Sequence, residues 1–423
     1  MLSKVKANYH WLIAAIALVA MFTCGGIGNS LAGITLIPIT ESLNVSRGEF
    51  SSAMMVRSVS MILMNLFSGT LLVKFGYRKM VTIGLVISTL GYAMAAGSQT
   101  LPVMCVAAVM EGAYGLCTNA GNPRLLSSWF HRHYGLVTGV ITAMTGLGGS
   151  VFSLLFGKIV SNLGWRNAYG ITAGIIALVA VMIAVLVRNK PADMGLKPYG
   201  EGYVPKNTKK DREDYWDGYS FAVLKKKSSF RLLVLGTFLS CFCVYMPFSV
   251  LAAHVQDCGM SAEFAAGVQS LLMFMLAAFK LAFGYLSDKV GTKRMSMVSL
   301  VAVVAAMLLL AGIKTPATAY LSAVVYALAL PICGIAPMLL VTTLFGYHSS
   351  AKVMGIILAM TSVGNMLAAP LSNLLRDMFG SYRPVFLGTA VVSIGVILLY
   401  LVIYKLADKD RKEYERSQQE ITA

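Results

Sequence analysis

The chain has 423 residues, 57% of them hydrophobic and 13% charged, with a formal net charge of +17. Its mean hydropathy is +0.72. Soluble domains run at about 45–50% apolar and about 25% charged, so this composition excludes a water-soluble multidomain protein of the same length. Apolar stretches of the roughly 17–25 residues needed to cross a bilayer recur along nearly the whole chain.

Only helices satisfy all their backbone groups within one segment, so each apolar run is read as a transmembrane helix. Twelve spans are expected in chain order: 10–38, 50–73, 80–98, 101–123, 135–159, 166–187, 231–254, 264–286, 295–313, 317–344, 352–375 and 383–405. Lys4 and Lys6 before the first run mimic a signal peptide, but that run far exceeds an h-region of about 7–15 residues and is read as a span. It is rich in glycine (Gly25, Gly26, Gly28, Gly33), with Pro38 at its end. Residues 188–230 are polar and rich in Gly, Pro and Lys, which marks a connecting loop. The expected organisation is an N-terminal six-helix bundle (1–187), a cytoplasmic linker (188–230), a C-terminal six-helix bundle (231–406) and a cytoplasmic tail (407–423).

The two halves repeat one another. "GTLLVKFGYRKM" at 69–80 answers "GYLSDKVGTKRM" at 284–295, identical at five of twelve positions. "GVITAMTGLG" at 139–148 answers "GIILAMTSVG" at 355–364, identical at six of ten, and "SRGEF" at 46–50 corresponds to "SAEF" at 261–264. Three ordered matches at nearly one offset point to an all-α membrane protein of two pseudo-symmetric six-helix bundles, a transporter plan with a central site.

Lysine and arginine in the loops set the orientation. With both termini in the cytoplasm, 27 of the 35 basic residues fall inside and 6 outside. The positive charge is therefore topological, with attraction to anionic lipid as a secondary effect. No folded basic domain supports a nucleic-acid partner. The seven cysteines, at 24, 105, 117, 241, 243, 258 and 333, contain no C-x-x-C pair and read as small core residues rather than disulfides or metal ligands. No Walker loop, G-x-S-x-G, H-E-x-x-H or intramembrane aspartyl pair occurs, so neither ATP, a metal, a cofactor nor an enzymatic activity is expected.

The stretch at 284–294, with Gly284, Asp288, Lys289, Gly291, Lys293 and Arg294, resembles the loop signature of the major facilitator superfamily. The first copy keeps Gly69, Lys74, Gly76, Arg78 and Lys79, with Val73 in the aspartate position. In that family the aspartate latches the cytoplasmic side. The resemblance therefore implies a cytoplasmic gate of Gly69, Gly76, Arg78, Gly284, Asp288, Lys289, Gly291 and Arg294, stronger in its second copy. Within the superfamily, "SSWFHRHYGLVTGVITAMTGLGGSVFSLLF…LGWRNAYG" (127–170) and "VSRGEFSSA" (45–53) resemble the monocarboxylate transporters and the oxalate/formate antiporter group. That group carries an arginine in helix eight, four residues before the loop glycine, and this slot holds Lys280. The resemblance implies that Lys280 binds a substrate carboxylate. Lysine does so as a point charge where arginine grips with a planar fork. The second basic residue of the oxalate/formate group, in helix eleven, is missing from 353–375, which favours a monoanion over a dicarboxylate.

Arg57, Glu111 and Lys280 fall well within spans. A Lys, Arg or Asp at a helix centre costs about 2.5–3.5 kcal/mol on insertion scales, so each needs a reason. Lys280 is read as the anion site, against a snorkelling lysine. Arg57 attracts anions in the outer vestibule or forms a structural pair. Glu111 carries a proton or pairs permanently with Arg57 or Lys280. Tyr114, Asn119, Tyr245 and Asn365 offer hydrogen bonds to a ligand or glue helices together. His131 and His133 read as solvated loop residues.

The expectation is a monomeric multi-pass carrier in the cell membrane. It moves a small organic anion, a monocarboxylate, by alternating access, with protons as a candidate coupling ion. A drug or amphiphile efflux pump of the same fold and a non-transporting receptor or sensor are the rival readings.

Overall fold

The computed structural model describes residues 9–130, 134–200, 218–346 and 349–422. Within those stretches the side chains at 65, 66, 69, 70, 72, 73, 119, 120, 123, 134–136, 288, 338, 350, 351 and 417–422 lie outside the description. Among the described residues, twelve long helical segments follow one another, with short helical turns at Pro191–Met194 and Phe221–Leu224 between the sixth and seventh. The first six are α1 (Tyr9–Leu43), α2 (Arg47–Phe75), α3 (Tyr77–Ala96), α4 (101–129), α5 (Tyr134–Leu163) and α6 (Trp165–Leu186). The second six are α7 (228–257), α8 (Ala262–Val290), α9 (Thr292–Ala311), α10 (316–345), α11 (Ser350–Phe379) and α12 (Arg383–Thr422). Eleven of them are long and apolar enough to cross a membrane. The more polar α2 has 29 residues, about 43 Å of helix at 1.5 Å per residue, against a hydrocarbon core of about 30 Å. Among the described residues the one β-type pairing is an isolated parallel bridge between Phe130 and Tyr199.

Three boundaries differ from the sequence expectation by five residues or more. α4 runs on to Trp129, past the expected end at 123. α1 does not stop at Pro38 but continues to Leu43, with the Thr40 hydroxyl donating back to the carbonyls of Leu36 and Ile37 at 2.9 and 3.0 Å. α12 runs 40 residues, to Thr422. Its charged continuation is tied down by Lys293 to Asp408 and by Lys227 to Asp410 and Glu413 at 3.0 and 2.8 Å.

The first and fourth helices of each half are interrupted. α1 contains a π-turn at Met21–Gly25. α4 passes through a 3-10 turn at Gly112–Tyr114 and a π-turn at Leu116–Gly121. α7 loosens into turns at 246–250, around Pro247. α10 holds a 3-10 turn at Leu330–Cys333 and restarts as a helix at Ile335. Gly and Pro at each break remove a side chain or an N–H and weaken the helix. Irregular backbone at membrane depth is tolerated only where protein buries it or a cavity hydrates it.

The sequence repeat is matched in the backbone. Asn44 (φ 52°) and Gly259 (φ 87°) close the turns after α1 and α7 in left-handed conformations. Gly76 (φ 80°) and Gly291 (φ 96°) do so before α3 and α9, and Gly164 (φ 83°) and Gly380 (φ 71°) before α6 and α12. Each pair is 215 or 216 residues apart.

By packing, the chain forms two compact units. One is Met1–Pro205 with Leu251–Ala277, and the other is Lys206–Val250 with Ala278–Ala423. In the first, α1 and α5 cross with backbones nearly touching. A Cβ on Gly148 would lie 1.9 Å from the Phe22 carbonyl oxygen, and one on Gly26 would lie 2.5 Å from the Gly148 carbonyl carbon. Lipid offers no hydrophobic drive between helices, so such close van der Waals approach is what holds them. In the second unit, Met246, Ala368 and Val385 form a buried cluster under Phe242, Tyr245 and Leu375.

Candidate functional site

In the first unit the chain brings Arg57, Glu111 and Tyr114 together. Glu111 is 3% exposed, at the point where α4 gives up its α-helical hydrogen bonding. Carbonyls freed at such a break need other donors. The Ser60 hydroxyl donates to Val109 O at 2.7 Å, and the Ser88 hydroxyl donates to Glu111 O at 2.9 Å. Glycines fix the surroundings. A Cβ on Gly112 would lie 2.7 Å from Arg57 O on α2, and one on Gly91 would lie 2.7 Å from Glu111 N. Three helices therefore meet tightly around one carboxylate.

Arg57 faces it. Its Nε lies 3.8 Å from Glu111 Oε2, with side chains 17% and 4% exposed. Its Nη2 donates to Gly28 O and to the Tyr114 hydroxyl, both at 3.4 Å. The guanidinium carbon stands 5.4 Å from the Tyr114 ring centroid, within cation–π range. Gly28 makes room for that ring, since a Cβ there would lie 2.6 Å from the Tyr114 hydroxyl. Arg57 and Glu111 thus neutralise one another in this structure.

In the second unit Lys280 is half-buried on α8. Its Cε lies 3.9 Å from the position of a Cβ on Gly334, the residue at the break in α10. Within its own unit, and among the described residues, no carboxylate lies within ion-pair distance of its ammonium. Tyr245, at the end of the regular part of α7, packs edge-on against Phe248 at 5.8 Å. Asn365 is exposed on α11. No hydrogen bond joins Lys280, Tyr245 and Asn365 among the described residues.

The loop-signature residues divide. Arg78 Nε donates to Ala184 O at 2.6 Å, where a cation suits the carbonyl end of α6. The Arg78 backbone N–H donates to Asn189 Oδ1 at 2.8 Å. The repeat-equivalent Lys293 pairs with Asp408 on α12. Each half thus ties its loop to its own last helix. Gly76 adopts its left-handed φ against Asn189, and Gly291 adopts the equivalent φ in open space. Lys289 lies 4.6 Å from the Tyr285 ring centroid, and Arg294 is exposed. Among the described residues, nothing lies within 4 Å of a Cβ built on Gly284. Gly69, Asn119 and Asp288 are positions whose side-chain placement lies outside the description, as do residues 131–133 entirely. Of the cysteines, Cys24, Cys117, Cys241, Cys243 and Cys333 are buried. Sequence reasoning did not single out Ser60, Ser88 or Gly334. Of the glycines that pack against these groups, only Gly28 lies in a run that the sequence marks as glycine-rich.

Twelve helical segments, an internal repeat and ionisable groups at breaks in apolar helices define a multi-pass membrane transporter of small molecules. The chain belongs to the Major Facilitator Superfamily, whose family model matches residues 16–345 and 233–422. It is 25% identical over 397 residues to monocarboxylate transporter 11 of Mus musculus, covering 90% of this chain and 84% of that protein. It is 20% identical to the uncharacterised MFS-type transporter YcxA of Bacillus subtilis, over 98% of this chain and 100% of the relative. It is 23% identical to the MFS transporter asaE of Aspergillus flavus over 66% of this chain, spanning 62% of that protein. Among solved structures, the nucleoside transporter NupG superposes with a TM-score of 0.74 at 15% identity, covering 94% of this chain and 99% of NupG. A bacterial homologue of the human lysosomal transporter Spinster, inward-facing and unoccupied, gives 0.71 at 16% identity, covering 95% and 98%. At such identities these likenesses show the fold.

Proposed function

We propose that the protein carries a small organic monoanion, a monocarboxylate, across the cell membrane by alternating access, with both termini in the cytoplasm. The observation that carries this reading is the contrast between the two intramembrane cations. Arg57 has Glu111 at 3.8 Å, whereas among the described residues of its unit Lys280 has no carboxylate within ion-pair distance. A half-buried ammonium without a counter-ion is costly in an apolar setting and is stabilised when an anion arrives. Its stem rests at the break of α10, and discontinuous helices are where carriers of this kind form their sites. Relatives named monocarboxylate transporters 11 and 13 agree with this substrate class.

Glu111 is the proposed proton-coupling group. Its 3.8 Å separation from Arg57 exceeds hydrogen-bond length, so taking up a proton there breaks a loose ion pair and frees Arg57. The positive-inside bias of the loops supports the proposed orientation. The efflux reading keeps one support, a relative named as the fujikurins efflux protein of Gibberella fujikuroi, 23% identical over 55% of this chain.

The test is uptake into proteoliposomes across a panel of labelled carboxylates, with amphiphilic cations as the opposing class. Saturable uptake of a monocarboxylate, lost in Lys280→Ala, is expected. Transport of amphiphilic cations with no carboxylate uptake would replace this reading with efflux.

A further inference from the structure

Four of the seven cysteines meet in pairs that no short sequence motif joins. Cys24 lies in the π-turn of α1, and Cys117 lies in the π-turn of α4. The two turns pack directly against one another, and the Cys24 and Cys117 thiols are in hydrogen-bond contact. Cys241 lies on α7, and Cys333 lies in the 3-10 turn that breaks α10. These segments also pack together, and their thiols are likewise in hydrogen-bond contact. Each pair thus joins the first helix of a half to the fourth, at the point where the fourth is broken. Cys117 and Cys333 are 216 residues apart, the offset of the repeat, and Cys24 and Cys241 are 217 apart. The same dithiol is built twice, once inside each compact unit.

The surroundings repeat as well. The Cys241 thiol donates to the Thr361 hydroxyl on α11 at 3.6 Å. Thr145 on α5, 216 residues earlier, flanks the first pair, with its Cγ2 2.7 Å from the position of a Cβ on Gly25. All four cysteines are buried and free. Core packing accounts for a buried cysteine, because a thiol behaves as a small apolar group. It does not account for sulfur facing sulfur in both halves, since alanine or serine would fill the same space.

We propose that Cys24–Cys117 and Cys241–Cys333 are twin redox-active dithiols, each closed to a disulfide by a small hydroperoxide and reopened by a small dithiol reductant. One sulfur attacks a peroxide oxygen, the O–O bond breaks, and the departing hydroxide leaves as water with the thiol's proton. The second sulfur attacks the sulfenic acid so formed, closing the S–S bond and expelling a second water. Two electrons pass from the two thiols to the peroxide. Hydrogen peroxide and the disulfide are both uncharged, so an apolar interior opposes neither the entry of the one nor the formation of the other. Each bridge braces a first helix against the break of a fourth and closes a loop of more than 90 residues, which restricts the unfolded chain. The inference stands whichever solute is moved.

The test uses the full-length chain at one copy per lipid nanodisc, which prevents bridges between copies. After treatment with hydrogen peroxide, remaining thiols are alkylated with N-ethylmaleimide in denaturant and the bridged peptides are mapped by mass spectrometry. Untreated protein should take up seven alkyl groups and treated protein three, at Cys105, Cys243 and Cys258, with dithiothreitol restoring all seven. The bridges should link Cys24 to Cys117 and Cys241 to Cys333. Cys117→Ala should lose the first bridge and keep the second, and Cys333→Ala the reverse. Oxidation should raise the melting temperature by at least about 2 °C, and should not do so when both substitutions are combined. Oxidation to sulfinic or sulfonic acids without bridging, a bridge in one half alone, or pairing through Cys243 overturns the twin site. A melting temperature left unchanged or lowered by the bridges overturns the bracing.

Discussion

Glu111 Oε2 stands 3.8 Å from Arg57 Nε, too far for a hydrogen bond and close enough for two buried charges to cancel. The pair is held by backbone rather than by itself, since Gly91 and Gly112 let α2, α3 and α4 close around it. Its two members are not equivalent. A carboxyl left alone can take up a proton, whereas a guanidinium stays charged.

That asymmetry gives a stability prediction. Removing one member of a buried pair costs about 3–5 kcal/mol. Glu111→Leu, which strands Arg57, should lower the melting temperature in detergent more than Arg57→Leu does. The double substitution should recover part of the loss. Equal losses from the two single variants would show that Arg57 finds another counter-charge or reaches water.

The coupling proposal predicts a pH effect with a defined direction. Glu111→Gln cannot take up a proton, so its net uptake should no longer respond to a pH gradient, while counterflow exchange continues. Flux measured in proteoliposomes with and without the gradient checks this. A variant as gradient-dependent as the unaltered protein would remove Glu111 from the coupling.

Much of this was legible in the sequence because membrane helices are dictated by length and hydropathy. The twelve spans fall within a few residues of the helices, apart from α1 passing through Pro38, α4 continuing to Trp129 and α12 extending to Thr422. The extension escaped notice because its charged residues read as a tail until Lys227 and Lys293 were seen to pair with them. The repeat was read from matching letters, so the Gly76 and Gly291 equivalence was visible. Asn44 and Gly259 share a left-handed backbone and not a residue type, and so were not. Arg57, Glu111 and Lys280 stood out because charge in an apolar helix needs a reason. Which partner each had depended on helix packing.

The α1–α5 crossing allows a paired comparison. Gly148→Ala would put a methyl group 1.9 Å from the Phe22 carbonyl oxygen. Overpacking of this kind typically costs about 1–3 kcal/mol, so a lower melting temperature is expected. Gly170→Ala, on α6 with nothing within 4 Å of its Cβ position, should be neutral or stabilising by up to about 1 kcal/mol from helix propensity. The same loss at both glycines would argue against a close crossing.

Outside the membrane, Lys227 is held charged chiefly by its hydrogen bond to Glu413, with Asp410 adding to the effect, and its pKa is raised. A raised folded-state pKa stabilises the fold fully below the unfolded lysine value of about 10.4. The contribution fades as pH climbs through the higher folded value. Lys227→Met should therefore melt lower than the unaltered protein at pH 8, by a margin that narrows above pH ~11. A margin that widens with pH would contradict the ion pair as its source. Because the Glu413 carboxylate is about half exposed to solvent, the effect should also shrink in high salt.

The most direct test of the central claim is equilibrium binding of a transported monocarboxylate to purified protein carrying Lys280→Gln or Lys280→Arg. The account predicts that the glutamine variant, which stays polar and loses the charge, no longer binds saturably. The arginine variant should still bind, with altered affinity. Binding by Lys280→Gln at the unaltered protein's affinity would contradict the account.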